Sequence, residues 1–187
     1  MRHGETDWNL GNRFQGHADP PLNETGRAQA RELRATLGDR DFGAVYSSPL
    51  RRAFETAEII AAPHGLQPVP DAGLREVDVG EWQGLTREEV EQRFPEQHRG
   101  WLAFGQGWDG GETYEEMGRR VVATLLEIAQ KHDGEAILCV THGGPIRAAL
   151  AAAREISHAE ARRTGPAIGN CFAAEFAVEH EALRQLD

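Results

Sequence analysis

Two histidines, each followed by glycine, carry most of the chemistry this sequence offers: Arg2-His3-Gly4-Glu5-Thr6 at the start, and Thr141-His142-Gly143-Gly144 far downstream. Between them, Ser48-Pro49-Leu50-Arg51-Arg52-Ala53 supplies guanidinium groups and Leu74-Arg75-Glu76 a carboxylate. A phosphate dianion needs several fixed donors, and arginine offers planar, bidentate ones. A neutral imidazole nitrogen is a competent nucleophile near neutral pH, because the reference pKa of histidine is about 6.5. A carboxylic acid is then needed to protonate the departing alkoxide, and Glu76 is the candidate. Together these groups are parts for phosphoryl transfer through a histidine.

Each group alone has an ordinary reading. His3 near a frayed end is inert, and His142 is a hydrogen-bonded histidine at the end of a strand. Arg51 and Arg52 form a solvated helix face, and Glu76 is one of 30 acidic side chains. The conjunction favours chemistry, because each group falls at a predicted strand end or helix start. His17, His64, His98, His132, His158 and His180 are scattered through polar segments without the paired spacing of metal-binding helices, so no metal site is expected.

The elements that must position these groups alternate between helix and strand. Ala136-Ile137-Leu138-Cys139-Val140 reads as a buried strand delivering His142 from its carboxyl end, where open α/β sheets place ligands. Only Met1 and Arg2 precede His3, so the strand expected to feed it is cut to a stub and His3 is expected on a loose end. Asn23 caps a helix running to about Leu37, with Gly38 as its stop. Ala44-Val45-Tyr46-Ser47 is a short strand; Ser48 as N-cap and Pro49 at the first helical position then open a helix to about Ala62, whose free N–H groups face an anion. Thr86 with Glu89, and Thr113 with Glu116, are capping-box signatures. A further helix runs from Pro145 to about Arg154. Phe172, Ala174, Phe176 and Val178 alternate with polar residues, as in an exposed edge strand across which a homodimer can pair. The class is α/β: a three-layer α/β/α sandwich with a largely parallel central sheet. Residues 95–112 break the pattern, carrying Trp101, Phe104 and Trp108 among glycines. They form either a substrate-facing cap or a segment packed onto the body.

Composition narrows the partners. The 187 residues fit a single domain spanning 1–187. A net charge of −10 disfavours nucleic acid and anionic membranes. Cys139 and Cys171 read as buried thiols of a reducing cytosol. No apolar stretch approaches the roughly 20 residues of a membrane span, and no signal peptide is evident, which points to a cytoplasmic protein.

The order of motifs resembles the histidine phosphatase superfamily, in the branch shared with cofactor-dependent phosphoglycerate mutase. The matching residues are Arg2-His3-Gly4-Glu5-Thr6 with Trp8-Asn9, Phe14-Gln15-Gly16, Asp19, Pro21-Leu22 and Gly26. They continue through Ser47-Ser48-Pro49-Leu50, Arg52-Ala53, Thr56-Ala57, Leu74-Arg75-Glu76, Gly80 and Trp82-Gln83-Gly84. Gly110-Gly111-Glu112, Arg120-Val121 and Thr141-His142-Gly143-Gly144 complete the set. The resemblance implies a covalent phosphohistidine at His3, with Glu76 as acid and then base. Arg2, Arg52 and His142 hold the phosphoryl group, with Asn9 and Gly143 nearby. Gln15 and Gly16 line the substrate side, and Trp101 and Trp108 of the excursion are candidates to join them. No metal or organic cofactor is implied, and the substrate is a small phosphorylated metabolite. The branch usually follows its acid with an Arg-His-Tyr-Gly type sequence; Glu76-Val77-Asp78-Val79-Gly80 here favours hydrolysis over mutase action. A mutase-type isomerase and a catalytically weak phospho-ligand-binding module are the alternatives.

Overall fold

Short apolar runs pair in parallel at the centre of the molecule. The computed structural model describes residues 1–38 and 40–186. Its elements follow in the order α1 (Asp7–Leu10), α2 (Glu24–Leu37), β1 (Ala44–Ser47), α3 (Arg51–Ala61), β2 (Val69–Pro70), α4 (Arg87–Arg93), α5 (Pro95–Leu102), α6 (Tyr114–Lys131), β3 (Ile137–Val140), α7 (Gly143–Ala153), α8 (His158–Thr164), β4 (Phe176–Glu179) and β5 (Ala182–Gln185). β1 lies between β2 and β3, with Ala44 opposite Ile137 and Ser47 opposite Val140, all parallel.

Alternation along β1 and β3 decides what covers each face. Val45, Leu138 and Val140 are buried against Ala53, Ala57 and Ile60 of α3, with Leu33 and Leu37 of α2 behind. Tyr46 points the other way, and its hydroxyl meets His132 Nε2 (3.0 Å) at the end of α6. α6 packs on α7, and α7 on α8. This is the sandwich that alternating helix and strand signals predict.

The chain start extends the sheet by one step. Thr141 N donates to Met1 O (2.7 Å) and His3 N to Thr141 O (3.0 Å), a parallel bridge of Arg2 with Thr141 beside β3. Arg2 N donates to Phe172 O (2.8 Å) on the other side. The pairing is a single bridge rather than a strand. The loose end is not found: His3 is 2% exposed and held from both flanks.

Capping follows the sequence closely. Asn23 Oδ1 accepts from Gly26 N, and both threonine–glutamate boxes close reciprocally at α4 and α6. The start of α3 differs. Leu50, not Ser48, holds the N-cap position and makes no side-chain cap bond, and the helix opens at Arg51. Its first N–H is taken by the Asp19 carboxylate (2.6 Å), so that donor is not left for a bound phosphate. Residues 172–178 are the second correction. Only Phe176–Glu179 is strand, and it pairs antiparallel with β5 in a separate hairpin. Cys171 takes a left-handed backbone (φ 57°), which breaks the extended run ahead of it. The alternation still has a cause: Phe172, Ala174 and Phe176 pack on Ile146, Leu150 and Ile168. Cys139 and Cys171 are free but half-buried rather than buried. Among the described residues no helix is long and apolar enough to cross a membrane.

Candidate active site

Close backbone approach fixes the nucleophile segment. A Cβ on Gly4 would lie 2.5 Å from Gly26 O, and one on Gly26 would lie 2.1 Å from Glu5 O, so only glycine fits at either contact. Gly4 N also donates to Thr56 Oγ1 (3.1 Å) of α3. His3 is thereby set at the carboxyl edge of the sheet. Its Nδ1 lies 2.6 Å from Gly4 O. A carbonyl only accepts, so Nδ1 carries the proton and Nε2 keeps the lone pair. Burial, then the Arg52 and Arg2 charges, push the His3 pKa well below 6.5, which keeps the ring neutral.

His142 follows β3 directly and lies against His3, with ring centroids 5.1 Å apart at 60°. It is fully buried. Its Nε2 pairs with Ser48 Oγ (2.8 Å), an oxygen that also accepts Leu50 N (3.3 Å). With the hydroxyl donating to Nε2, the ring proton sits on Nδ1, a buried atom without a protein partner. Burial, then Arg52, holds this pKa well below 6.5 as well.

Two guanidiniums face the same place. Arg52, fully buried on α3, donates to Gly16 O (2.9 Å) and Ala18 O (2.7 Å), and burial lowers its pKa to about 10. Arg2 donates to Ile168 O (2.6 Å). Arg2 Nε and Arg52 Nε are both buried without a protein partner. Unsatisfied buried donors are costly, and an anion bound beside them relieves that cost. Asn9 Oδ1 is occupied by Thr6 N (3.0 Å), Thr6 Oγ1 (3.0 Å) and Asn170 Nδ2 (3.3 Å), which turns its own amide N–H groups to further use.

Glu76 is aimed by backbone donors: Oε1 accepts from Val77 N (3.0 Å) and Gly144 N (3.2 Å). A Cβ on Gly144 would lie 2.3 Å from that oxygen, whereas one on Gly143 meets nothing within 4 Å. The close approach belongs to Gly144 alone, while Gly143 lines the site. Arg120 is the residue that sequence reasoning left without a role. It donates to Gly73 O (2.8 Å), Arg75 O (2.9 Å) and Glu76 O (3.2 Å), and pairs with Glu112 (2.5 Å). One side chain thus ties the turn carrying Glu76 to the end of the aromatic excursion. Its place in a motif was the only available signal, since its contacts span more than forty positions.

These groups open onto a cavity of about 490 Å³, whose wall includes Arg2, His3, Asn9, Gln15, Gly16, Arg52, Glu76 and Gly143. His142 does not reach that wall and stands behind His3. Gly16 takes a left-handed turn (φ 50°), and a Cβ there would lie 2.7 Å from Val79 Cγ2. Trp101 and Trp108 serve both readings of the excursion. They line the cavity, and they also pack edge-on against Trp82, at 6.1 and 5.6 Å between centroids.

A parallel α/β sandwich with a neutral histidine at its carboxyl edge, two guanidiniums and one aimed carboxylate defines a class suited to phosphoryl transfer. The family model of the histidine phosphatase superfamily (branch 1) matches residues 1–186, and the chain belongs to that superfamily. It is 42% identical over 159 residues to Phosphoglycerate mutase-like protein 4 of Arabidopsis thaliana, covering 82% of this chain and 69% of that protein. It is 35% identical over 150 residues to Phosphoserine phosphatase 1 of Hydrogenobacter thermophilus, covering 79% of this chain and 71% of the relative. The solved structure of Bacillus stearothermophilus YhfR superposes with a TM-score of 0.93 at 30% identity, over 99% of this chain and 92% of that one.

Proposed function

We propose that this chain is a phosphomonoesterase that works through a covalent phosphohistidine on His3, without a metal. The observation that carries this reading is the state of His3: buried, neutral, with Nδ1–H tied to Gly4 O and Nε2 left nucleophilic in a cavity shared with Arg2, Arg52 and Glu76. In the first step Nε2 attacks phosphorus and the ester P–O bond breaks. Its electron pair leaves with the alkoxide oxygen, which takes the Glu76 proton. In the second, Glu76 removes a proton from water as the water oxygen attacks phosphorus. The P–N bond then breaks and returns its pair to Nε2. Arg2, Arg52 and Asn9 hold the phosphoryl oxygens, where developing charge meets preorganised donors, and His142 backs the His3 ring from behind the wall. A relative named as a phosphatase supports hydrolysis. So does Glu76-Val77-Asp78-Val79-Gly80, which lacks the Arg-His-Tyr-Gly type sequence of the mutases. The substrate is a small phosphorylated metabolite, and two free thiols suit a cytoplasmic setting.

The test is phosphate release from p-nitrophenyl phosphate and a panel of metabolite esters in excess EDTA, with His3→Ala as blank. Release that survives the chelator, vanishes in the variant and proceeds through an acid-labile, base-stable phosphoenzyme is the expected result. Release that depends on added metal, or that persists in His3→Ala, overturns the proposal. Conversion of a monoester to its isomer only in the presence of a bisphosphorylated primer would make the chain a mutase instead.

A further inference from the structure

Six arginines line the cavity, Arg2, Arg13, Arg52, Arg87, Arg147 and Arg162, against a single carboxylate, Glu76. The chain as a whole has the opposite balance, with 30 acidic and 20 basic side chains. A phosphoryl dianion accounts for Arg2 and Arg52. Arg13 is matched by Glu89 (3.1 Å), and Arg87 lies over the Trp101 ring (5.5 Å). Arg147 and Arg162 lie close enough to repel each other, beside Tyr114 and His158. Among the described residues neither has an acidic side chain within ion-pair distance.

Both are held in place by neutral groups. Arg147, on α7, donates to Ala161 O (3.0 Å). Arg162, on α8, donates to Gly105 O (3.1 Å) and Trp101 O (3.0 Å) and lies over the rings of Trp101, Phe104 and Tyr114 at 5.2, 5.6 and 5.1 Å. Carbonyls and ring faces fix a guanidinium without cancelling its charge. Beside them His158 stacks on Tyr114 (4.1 Å between centroids), and both its ring nitrogens are buried without partners. Paired cations and unsatisfied nitrogens at the wall of a cavity are costly in the empty protein and favourable once an anion arrives.

We propose that Arg147 and Arg162, with Tyr114 and His158, form a subsite for a carboxylate carried by the leaving group. The substrate class is then the phosphate ester of a hydroxy acid rather than of a neutral alcohol. This rests on the phosphatase reading and narrows it. One carboxylate presents one charge and two acceptor oxygens, which a pair of guanidiniums satisfies. The indole and phenol walls of Trp101, Trp108 and Tyr114 enclose the short carbon chain between the two anionic ends.

The test compares 3-phosphoglycerate with glycerol 3-phosphate, in which CH₂OH replaces the carboxylate. Binding is measured by calorimetry to the His3→Ala chain, so that turnover does not intervene. The carboxylate ester is expected to bind about tenfold tighter or more, a difference of ~1.4 kcal/mol. Adding Arg147→Met should bring the two affinities to within about twofold. Adding Arg13→Met, at an arginine that Glu89 already neutralises, should leave the ratio in place. The ratio is the readout, so a variant that weakens both ligands through general damage does not imitate the result. Equal affinities in the His3→Ala chain overturn the subsite, as does a ratio that Arg13→Met reduces as much as Arg147→Met does. Phosphate release from the same two esters and from p-nitrophenyl phosphate, measured on the chain with His3 intact, separates the two proposals. Preferential binding with no release from any ester leaves the subsite standing and sinks the phosphatase reading. Release without preference for the acid does the reverse.

Discussion

At the scale of single residues, the site works by keeping protons in assigned places. His3 has its Nδ1 proton committed to Gly4 O, and two guanidiniums discourage a second one. Because the folded pKa lies well below 6.5, the nucleophile stays neutral as pH falls through that value. The rate of enzyme phosphorylation in a rapid-quench burst is therefore expected to show no falling limb as pH passes down through 6.5. A limb centred near 6.5 would show that the ring titrates as in water. Glu76 carries the complementary assignment, since the leaving oxygen must take a proton. Glu76→Gln should cost ~10²–10⁴-fold in kcat on an alkyl phosphate ester, and much less on p-nitrophenyl phosphate, whose leaving group needs little help. Equal losses on both esters would remove Glu76 from the role of acid. Arg52 and His142 were legible because one opens a helix and the other follows a strand that nearby residues announce, whereas Arg2, His3 and Glu76 were legible through their motifs. Gly144 was only half legible. That Glu76 Oε1 occupies the space of its missing side chain is a fact of tertiary packing, with 68 positions between the partners.

At the scale of elements, the machinery hangs on turns rather than on regular structure. The turn that holds Glu76 has no sheet to stiffen it, and Arg120 on α6 replaces that support with bonds to three carbonyls. Arg120→Met is expected to lower kcat by roughly tenfold or more, because misplacement of about an ångström at the reacting centre is that costly. The thermal midpoint should fall as well, since three half-buried carbonyls and Glu112 lose a partner. An unchanged kcat with a lowered midpoint would make Arg120 structural only. Gly144→Ala tests the other support of the acid. It should depress turnover of alkyl esters more than affinity for phosphate, read as kcat against the inhibition constant of inorganic phosphate. The start of α3 and residues 172–178 were misjudged from sequence for one physical reason. Local signals such as Ser48-Pro49, or an alternating run, state what a segment favours in isolation. Asp19, and the His3 carbonyl that takes the N–H of the left-handed Cys171, come from elsewhere and decide the outcome.

For the molecule as a whole, three histidines are held neutral by burial: His3, His142 and His158, the last lowered to about 4. Unfolded, each takes up a proton near pH 6.5. Below that value the unfolded chain binds protons that the folded one refuses, so stability is lost as pH falls. For His158 the window runs from about 6.5 down to about 4. The thermal midpoint should therefore decline steadily across that range, and His158→Phe, which keeps a ring against Tyr114, should flatten part of the decline. A profile identical to that of the native chain would show that His158 contributes nothing to it.

The backbone bonds around His3 have a kinetic meaning. His3 N bonds to Thr141 O, Cys171 N to His3 O and Arg2 N to Phe172 O, so the nucleophile is stitched to residues far along the chain. Contacts of such long sequence separation form late in folding, after the loops between them have closed. During vectorial synthesis the segment around His3 must wait, unpaired, until residues 171 and 172 have emerged. A nascent chain stalled before that should take up no phosphate on His3 from a phosphoryl donor, whereas the released chain should, making phosphorylation of His3 a clock for completion of the fold.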